Sequence, residues 1–109
     1  MKKNIKESVN KIRIKYPNKL PIFIIRSKHD KILPSINNNK FLVNEELKVS
    51  DLIQLVRNRI ELTPEQSLFF FIDNKVIPST TENLGKLYSE YKNDDDLLII
   101  NYCGENVFG

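Results

Sequence analysis

The sequence predicts an α+β fold with helices on one face of a mixed sheet. Short apolar runs of strand length, LPIFII at 20–25 and LFFFI at 68–72, alternate with segments whose apolar residues recur every three or four positions. Clusters rich in Asn, Asp and Pro separate these segments. With 109 residues and 40% apolar side chains, the chain has the material for one hydrophobic core and little room for a second.

Ile5, Val9 and Ile12 follow an i, i+4, i+7 rhythm with lysines between them, a short amphipathic helix. It should stop near Tyr16-Pro17, because the residue before proline is pushed out of the helical region. Leu20–Ile25 reads as a strand, residues 27–39 (SKHDKILPSINNN) as a loop, and Lys40–Val43 as a second strand. Leu47, Leu52, Leu55, Val56 and Ile60 fit a helix. Ser50 and Asp51 suit its first turn and Arg57 and Arg59 its last, where the backbone dipole favours those charges. Thr63-Pro64 ends it. Residues 68–72 are the strongest strand; Asp73-Asn74 marks a turn after which Val76-Ile77 pairs back. Leu84, Leu87, Tyr88 and Tyr91 make a further helix starting at Thr81-Glu82, Asp94–Asp96 is a polar break, and residues 97–102 form a last strand.

Two hairpin-like pairs thus flank a central helix, and a final strand returns after the second helix. This is the order of the β-grasp architecture, as in ubiquitin, with an added N-terminal helix. The expected division is an N-terminal helical extension at 1–17, a ubiquitin-like domain at 18–103 and a flexible tail at 104–109.

No apolar run approaches the ~20 residues that span a bilayer, and the basic N-terminus has no apolar stretch behind it to make a secretory signal. A single cysteine, Cys103, excludes an internal disulfide framework and a multi-thiolate zinc site, and a cytoplasmic protein is the expectation. The net charge of +3 hides a split. Residues 1–31 hold ten Lys and Arg against only Glu7 and Asp30, while the rest of the chain is acidic. A basic N-terminal third is either a solvated helix face or an attractor of acidic partners.

Little in the sequence carries chemistry. His29 and Cys103 are the only such pair, and Cys103 follows an apolar strand, as a structural thiol does. There is no glycine-rich phosphate loop, and Asp94, Asp95 and Asp96 are consecutive, unlike spaced metal ligands. We therefore expect no enzyme, no metal and no cofactor. In the run 69–71, side chains alternate faces, so Phe70, or else Phe69 and Phe71, points away from the main core unless both faces are covered.

Several stretches resemble one family: KIRIKYPNKLPIFI (11–24), KFLV (40–43), VRNRIEL (56–62), LFFFIDN (68–74), LYSEYKNDD (87–95) and YCGENVFG (102–109). Together they are similar, over about residues 10–109, to the autophagy ubiquitin-like modifiers, the GABARAP-like proteins conjugated to phosphatidylethanolamine. Family members usually carry a further short helix ahead of the first one here, and most precursors extend past the terminal glycine until a cysteine protease trims them. Asn44 stands where the family commonly has Pro.

The resemblance implies that Gly109 is the site of lipid conjugation, served by activating and conjugating enzymes and by a deconjugating cysteine protease. It also implies docking of cargo receptors through short aromatic-x-x-aliphatic motifs that follow acidic residues. Lys40–Val43 would be the edge strand that receives them. A first pocket would comprise Ile12, Pro21, Phe23, Lys40, Leu42 and Leu97, a second Phe41, Val43, Leu47, Leu52, Leu55 and Arg59, and Lys11, Lys19, Lys40 and Arg59 would meet the acidic flank. Phe23 replaces a smaller aliphatic and Leu97 a frequent Phe. Phe69 and Phe71 match residues that the protease and the activating enzyme recognise. A monomer is implied, moving from cytoplasm to autophagosome membrane when lipidated, with no nucleic-acid partner. Parts of the sequence also fit two other readings. One is the sister modifier joined to a protein lysine, against which GENVFG and KYPNKLP speak. The other is a basic nucleic-acid-binding module, against which speaks the placement of the aromatics in apolar runs rather than among lysines.

Overall fold

A computed structural model describes residues 4–73 and 75–105. The elements are α1 (Ile5–Lys15), β1 (Lys19–Arg26), β2 (Lys40–Asn44), α2 (Val49–Arg59), β3 (Phe69–Phe71), α3 (Leu84–Tyr91) and β4 (Leu98–Cys103). The four strands form one sheet in the order β2-β1-β4-β3. β1 runs antiparallel to β2 and parallel to β4, and β3 is antiparallel to β4. The parallel pair at the centre, with α2 and α3 both in the connection between its strands, makes the sheet mixed, as the sequence predicts.

The register assigns the two faces of the sheet. Leu20 opposes Val43 and Ile22 opposes Phe41, while Ile22 and Ile24 stand beside Leu98 and Ile100. These residues share one face and join Val49, Leu52 and Val56 of α2 and Leu84, Leu87 and Tyr88 of α3 in a single core. Pro21, Phe23, Lys40 and Leu42 share the other face. There α1 lies, with Val9 buried and Ile5 and Ile12 half-covered. Helices on one face is therefore correct for α2 and α3 and incorrect for α1. Periodicity gives a helix its greasy stripe but does not say which side of a sheet receives it.

Local signals set most boundaries. Asn4 caps α1 by accepting the Glu7 N–H. The Asp51 carboxylate accepts the Lys48 N–H at 2.9 Å at the start of α2, and Glu61, at φ 56, ends that helix's exit. Asn83, rather than Thr81 or Glu82, caps α3 through the Lys86 N–H. The strand at 68–72 is shorter than expected, pairing with β4 over Phe69–Phe71; Asp73 then turns at φ 54, and among the described residues the return is the single bridge Ile72 with Val76. The acidic break is organised by Asn93, whose Oδ1 accepts the N–H groups of Asp95 and Leu97. Among the described residues no helix is long and apolar enough to cross a membrane.

Candidate docking groove and conjugation end

β2 is an edge strand with β1 as its one neighbour in the sheet. Its side chains alternate: Lys40, Leu42 and Asn44 outward, Phe41 and Val43 into the core. The outer row and the half-covered stripe of α1 face each other across a cleft of about 260 Å³. All six residues named for the first pocket (Ile12, Pro21, Phe23, Lys40, Leu42 and Leu97) line it. Ile5, Ser8, Val9, Ile22 and Phe41 also line it; of these, Ile5 and Val9 share the sequence-legible stripe of Ile12 without being assigned to the pocket. The lining is predominantly apolar, with Lys40 at the rim and its Nζ 6.0 Å from the centroid of the Phe23 ring. Such a cleft accepts a bulky apolar side chain, while the free backbone edge of β2 accepts an extended chain.

The second set is arranged differently. Phe41, Val43 and Leu52 are buried, Leu52 completely, and belong to the core. Leu47 packs against that core half-buried, and Leu55 is 43% exposed. Arg59 lies over Phe41 at 4.2 Å from the ring centroid and donates to the Asn38 carbonyl at 3.2 Å. The surface here is a shelf of Leu55 and Leu47 beside a stacked guanidinium, and Leu52 lies beneath it. Among the described residues none of Lys11, Lys19, Lys40 and Arg59 pairs with a carboxylate, so their charge is available to an acidic chain.

In the β3 run, Phe70 and Phe71 are both buried and Phe69 is half-buried. Both faces of this strand are covered, so of the two residues named for enzyme recognition only Phe69 keeps a partial surface. Among the described residues no group of three His, Cys, Asp or Glu side chains could hold a metal ion.

At the other end of β4 the chain leaves the sheet beside the 27–36 loop. Cys103 is buried, and its thiol faces the Asp30 carboxylate at 3.7 Å. Asp30 is the buried charged residue of the described chain, 5% exposed. It accepts the N–H of Gly104 at 3.0 Å, of Leu33 at 3.0 Å and of Ile32 at 3.5 Å. Burial pushes this carboxyl up, but the three backbone N–H groups and the Cys103 thiol outweigh it and hold it below its ordinary range. The Tyr102 hydroxyl, whose pKa burial raises, donates to the Pro34 carbonyl at 2.6 Å, and Arg26 donates to the Leu33 carbonyl at 2.9 Å. Gly109 lies outside the described residues.

A depressed folded-state pKa stabilises the protein above the ordinary carboxyl range, and the benefit is lost as pH falls through the folded value. Asp30→Asn should therefore lower the unfolding free energy by about 1–3 kcal/mol near neutrality. Urea titrations of the two proteins should converge as the medium is acidified. A constant difference at every pH would contradict the ionised hub.

The sequence matches the family described as Autophagy protein Atg8 ubiquitin like over residues 4–109. It is 39% identical over 105 residues to Autophagy-related protein 8 of Schizosaccharomyces pombe, covering 95% of this chain and 84% of the relative. It is 36% identical over 104 residues to Autophagy-related protein 8 of Mycosarcoma maydis, covering 95% and 86%. Autophagy-related protein 8e of Arabidopsis thaliana is also 36% identical over 104 residues, covering 95% and 84%. With a mixed sheet, its two core helices and the N-terminal helix in place, the chain belongs to the Atg8 family of ubiquitin-like autophagy proteins, modifiers rather than enzymes.

Proposed function

We propose that this chain is joined through the carboxylate of Gly109 to the amine of phosphatidylethanolamine, and that its β2 edge and α1 cleft dock aromatic-x-x-aliphatic motifs of cargo receptors. The observation that carries the docking half is the meeting of Ile12, Pro21, Phe23, Lys40, Leu42 and Leu97 around one cleft beside an edge strand. A peptide strand would pair with the backbone of β2, its aromatic residue in the cleft and its aliphatic residue on the Leu55 shelf. Acidic residues ahead of the aromatic would meet Lys11, Lys19, Lys40 and Arg59.

The conjugation half rests on family membership and on the GENVFG ending. The Gly109 carboxylate attacks the α-phosphorus of ATP and releases pyrophosphate. A cysteine thiol of the activating enzyme then displaces AMP and loses its proton. The resulting thioester is exchanged onto the conjugating enzyme's cysteine, and the lipid amine displaces that thiol to leave an amide. Every catalytic group belongs to the enzymes. The product carries two acyl chains at ~0.8 kcal/mol per buried methylene, a durable anchor. A body with no spanning helix among its described residues then becomes membrane-bound, bringing its docked receptors to the autophagosome.

One set of experiments tests both halves. Titration with an acidic-flanked aromatic-x-x-aliphatic peptide should shift the amide resonances of Lys40–Asn44, Ile12 and Leu97, with a micromolar Kd, about −8 kcal/mol. Incubation with activating and conjugating enzymes, ATP and phosphatidylethanolamine liposomes should yield a faster-migrating species. Shifts confined to other faces overturn the docking site, and an unchanged band overturns the conjugation.

A further inference from the structure

Asp30 has no part in the cleft and no catalytic partner, yet it is the most heavily engaged carboxylate in the fold. It sits in the loop between β1 and β2, 74 positions ahead of Gly104 in sequence, and gathers both partners at once. One oxygen, Oδ1, accepts from Gly104 and is within reach of Ile32 N–H and the Cys103 thiol; the other, Oδ2, accepts from Leu33. The loop that carries it is itself tied to the sheet. Ser27 N–H donates to the Tyr102 carbonyl at 2.8 Å, Tyr102 Oη to Pro34 and Arg26 to Leu33.

A second observation, independent of the carboxylate, points to the same junction. A Cβ placed on Gly104 would stand 3.1 Å from Leu33 Cγ, 3.2 Å from Ile32 Cβ and 3.4 Å from Asp30 Oδ1. The backbone of residue 104 is thus seated so close to the loop that a side chain there would press Leu33 and Ile32 aside by a few tenths of an ångström. Gly104 is the first residue after β4 and precedes Gly109 by five positions. Whatever fixes residue 104 fixes the point from which that ending departs.

We propose that Asp30 is a positioning residue for conjugation: its carboxylate latches Gly104 to the 30–33 loop and sets the origin and direction of the segment that delivers Gly109 to the activating enzyme. This rests on the conjugation reading above and adds a residue to it. An enzyme that adenylates a terminal carboxylate must bind the folded body and the ending together. With the origin fixed, fewer conformations of the ending have to be surrendered on binding, so the latch acts on the affinity for the productive complex and leaves the chemical step alone. Asn at position 30 keeps the shape but presents one amide group in place of an acceptor oxygen, so the Gly104 and Leu33 N–H groups can no longer both be served by carboxylate oxygens.

The test uses the full chain and its cognate activating enzyme, with single-turnover thioester formation followed against chain concentration. Asp30→Asn should raise the KM for the chain about tenfold while kcat stays within about twofold. In the same protein, hydrogen exchange at the Gly104 amide should quicken about tenfold by NMR. Gly104→Ala, which leaves the carboxylate in place and crowds the loop, should raise KM in the same way. Peptide binding at the α1 cleft, which none of these residues lines, should be unchanged in both. Asp30→Asn lowers the urea midpoint on either reading; a purely structural role would also weaken peptide docking, with no selective change in KM. Either variant being activated with the parent's KM overturns the latch, as does unaltered exchange at Gly104 in Asp30→Asn. If Asp30→Asn fails to fold, Gly104→Ala decides alone. Failure of the parent chain to form any thioester overturns the conjugation reading itself, and is seen before a variant is compared.

Discussion

Gly109→Ala should form no lipid adduct under conditions in which the parent is fully conjugated. The change adds one methyl group, and neither folding nor peptide docking should register it. The effect arises in the partner. A terminal residue that must pass along a narrow channel to reach ATP and then a thiol is most easily glycine, which has no Cβ to collide with the walls and reaches backbone angles closed to other residues. Misplacing a carboxylate by about 1 Å from its line of attack costs on the order of 100-fold in rate, and the penalty recurs at adenylation, thioester formation and transfer. The check is a lipidation time course with an equal loading of both proteins, alongside a peptide titration. Equal conjugation of the two would remove Gly109 from its assigned role.

The second large effect is expected in the cleft. Ile12 is 37% exposed on α1 and lines the apolar hollow with Pro21, Phe23, Leu42 and Leu97. Ile12→Asp leaves its carboxylate wet in the free protein, so the fold tolerates it, at a cost of about 1 kcal/mol. An incoming aromatic ring would have to strip water from that charge without offering a hydrogen bond, and the acidic residues ahead of it would be repelled. We expect the Kd to rise about 100-fold, equivalent to about 2.7 kcal/mol, measured by calorimetry with one peptide against both proteins. Lipidation should proceed normally in this variant, because none of the described residues leading to the ending lines the cleft. Unchanged affinity would show that the peptide seats elsewhere.

Much of this organisation is legible in the sequence because it is local. The body of α3 follows from the spacing of Leu84, Leu87, Tyr88 and Tyr91, although its start lies at the Asn83 cap and not at Thr81-Glu82, and α1 stops at Lys15, just before Tyr16-Pro17. What the sequence hides is relational. Which face of the sheet α1 occupies is set by how it packs back on β1, and the periodicity of α1 does not encode it. The burial of Phe70 and Phe71 alike follows from cover on both sides of a three-residue strand, which alternation alone leaves open. Leu52 and Leu55 sit on one helix at neighbouring turns, yet Leu52 is sealed in the core and Leu55 lies at the surface. A helical stripe wide enough to pack on a sheet has a rim, and spacing does not separate rim from centre. The first cleft was named from a resemblance, and its walls of Ile5, Ser8 and Val9 come only with the fold. Asp30 was visible as one of two acidic residues among ten basic ones, but its partner Gly104 is 74 positions away and no short-range pattern joins them.

The most direct measurement is the identity of the adduct. The chain is incubated with ATP, activating and conjugating enzymes and phosphatidylethanolamine liposomes, and the product is digested and read by tandem mass spectrometry. The account predicts one phosphatidylethanolamine, less one water, carried on Gly109 of the peptide that ends GENVFG. An unmodified Gly109, or Gly109 in isopeptide linkage to a protein lysine, would contradict it.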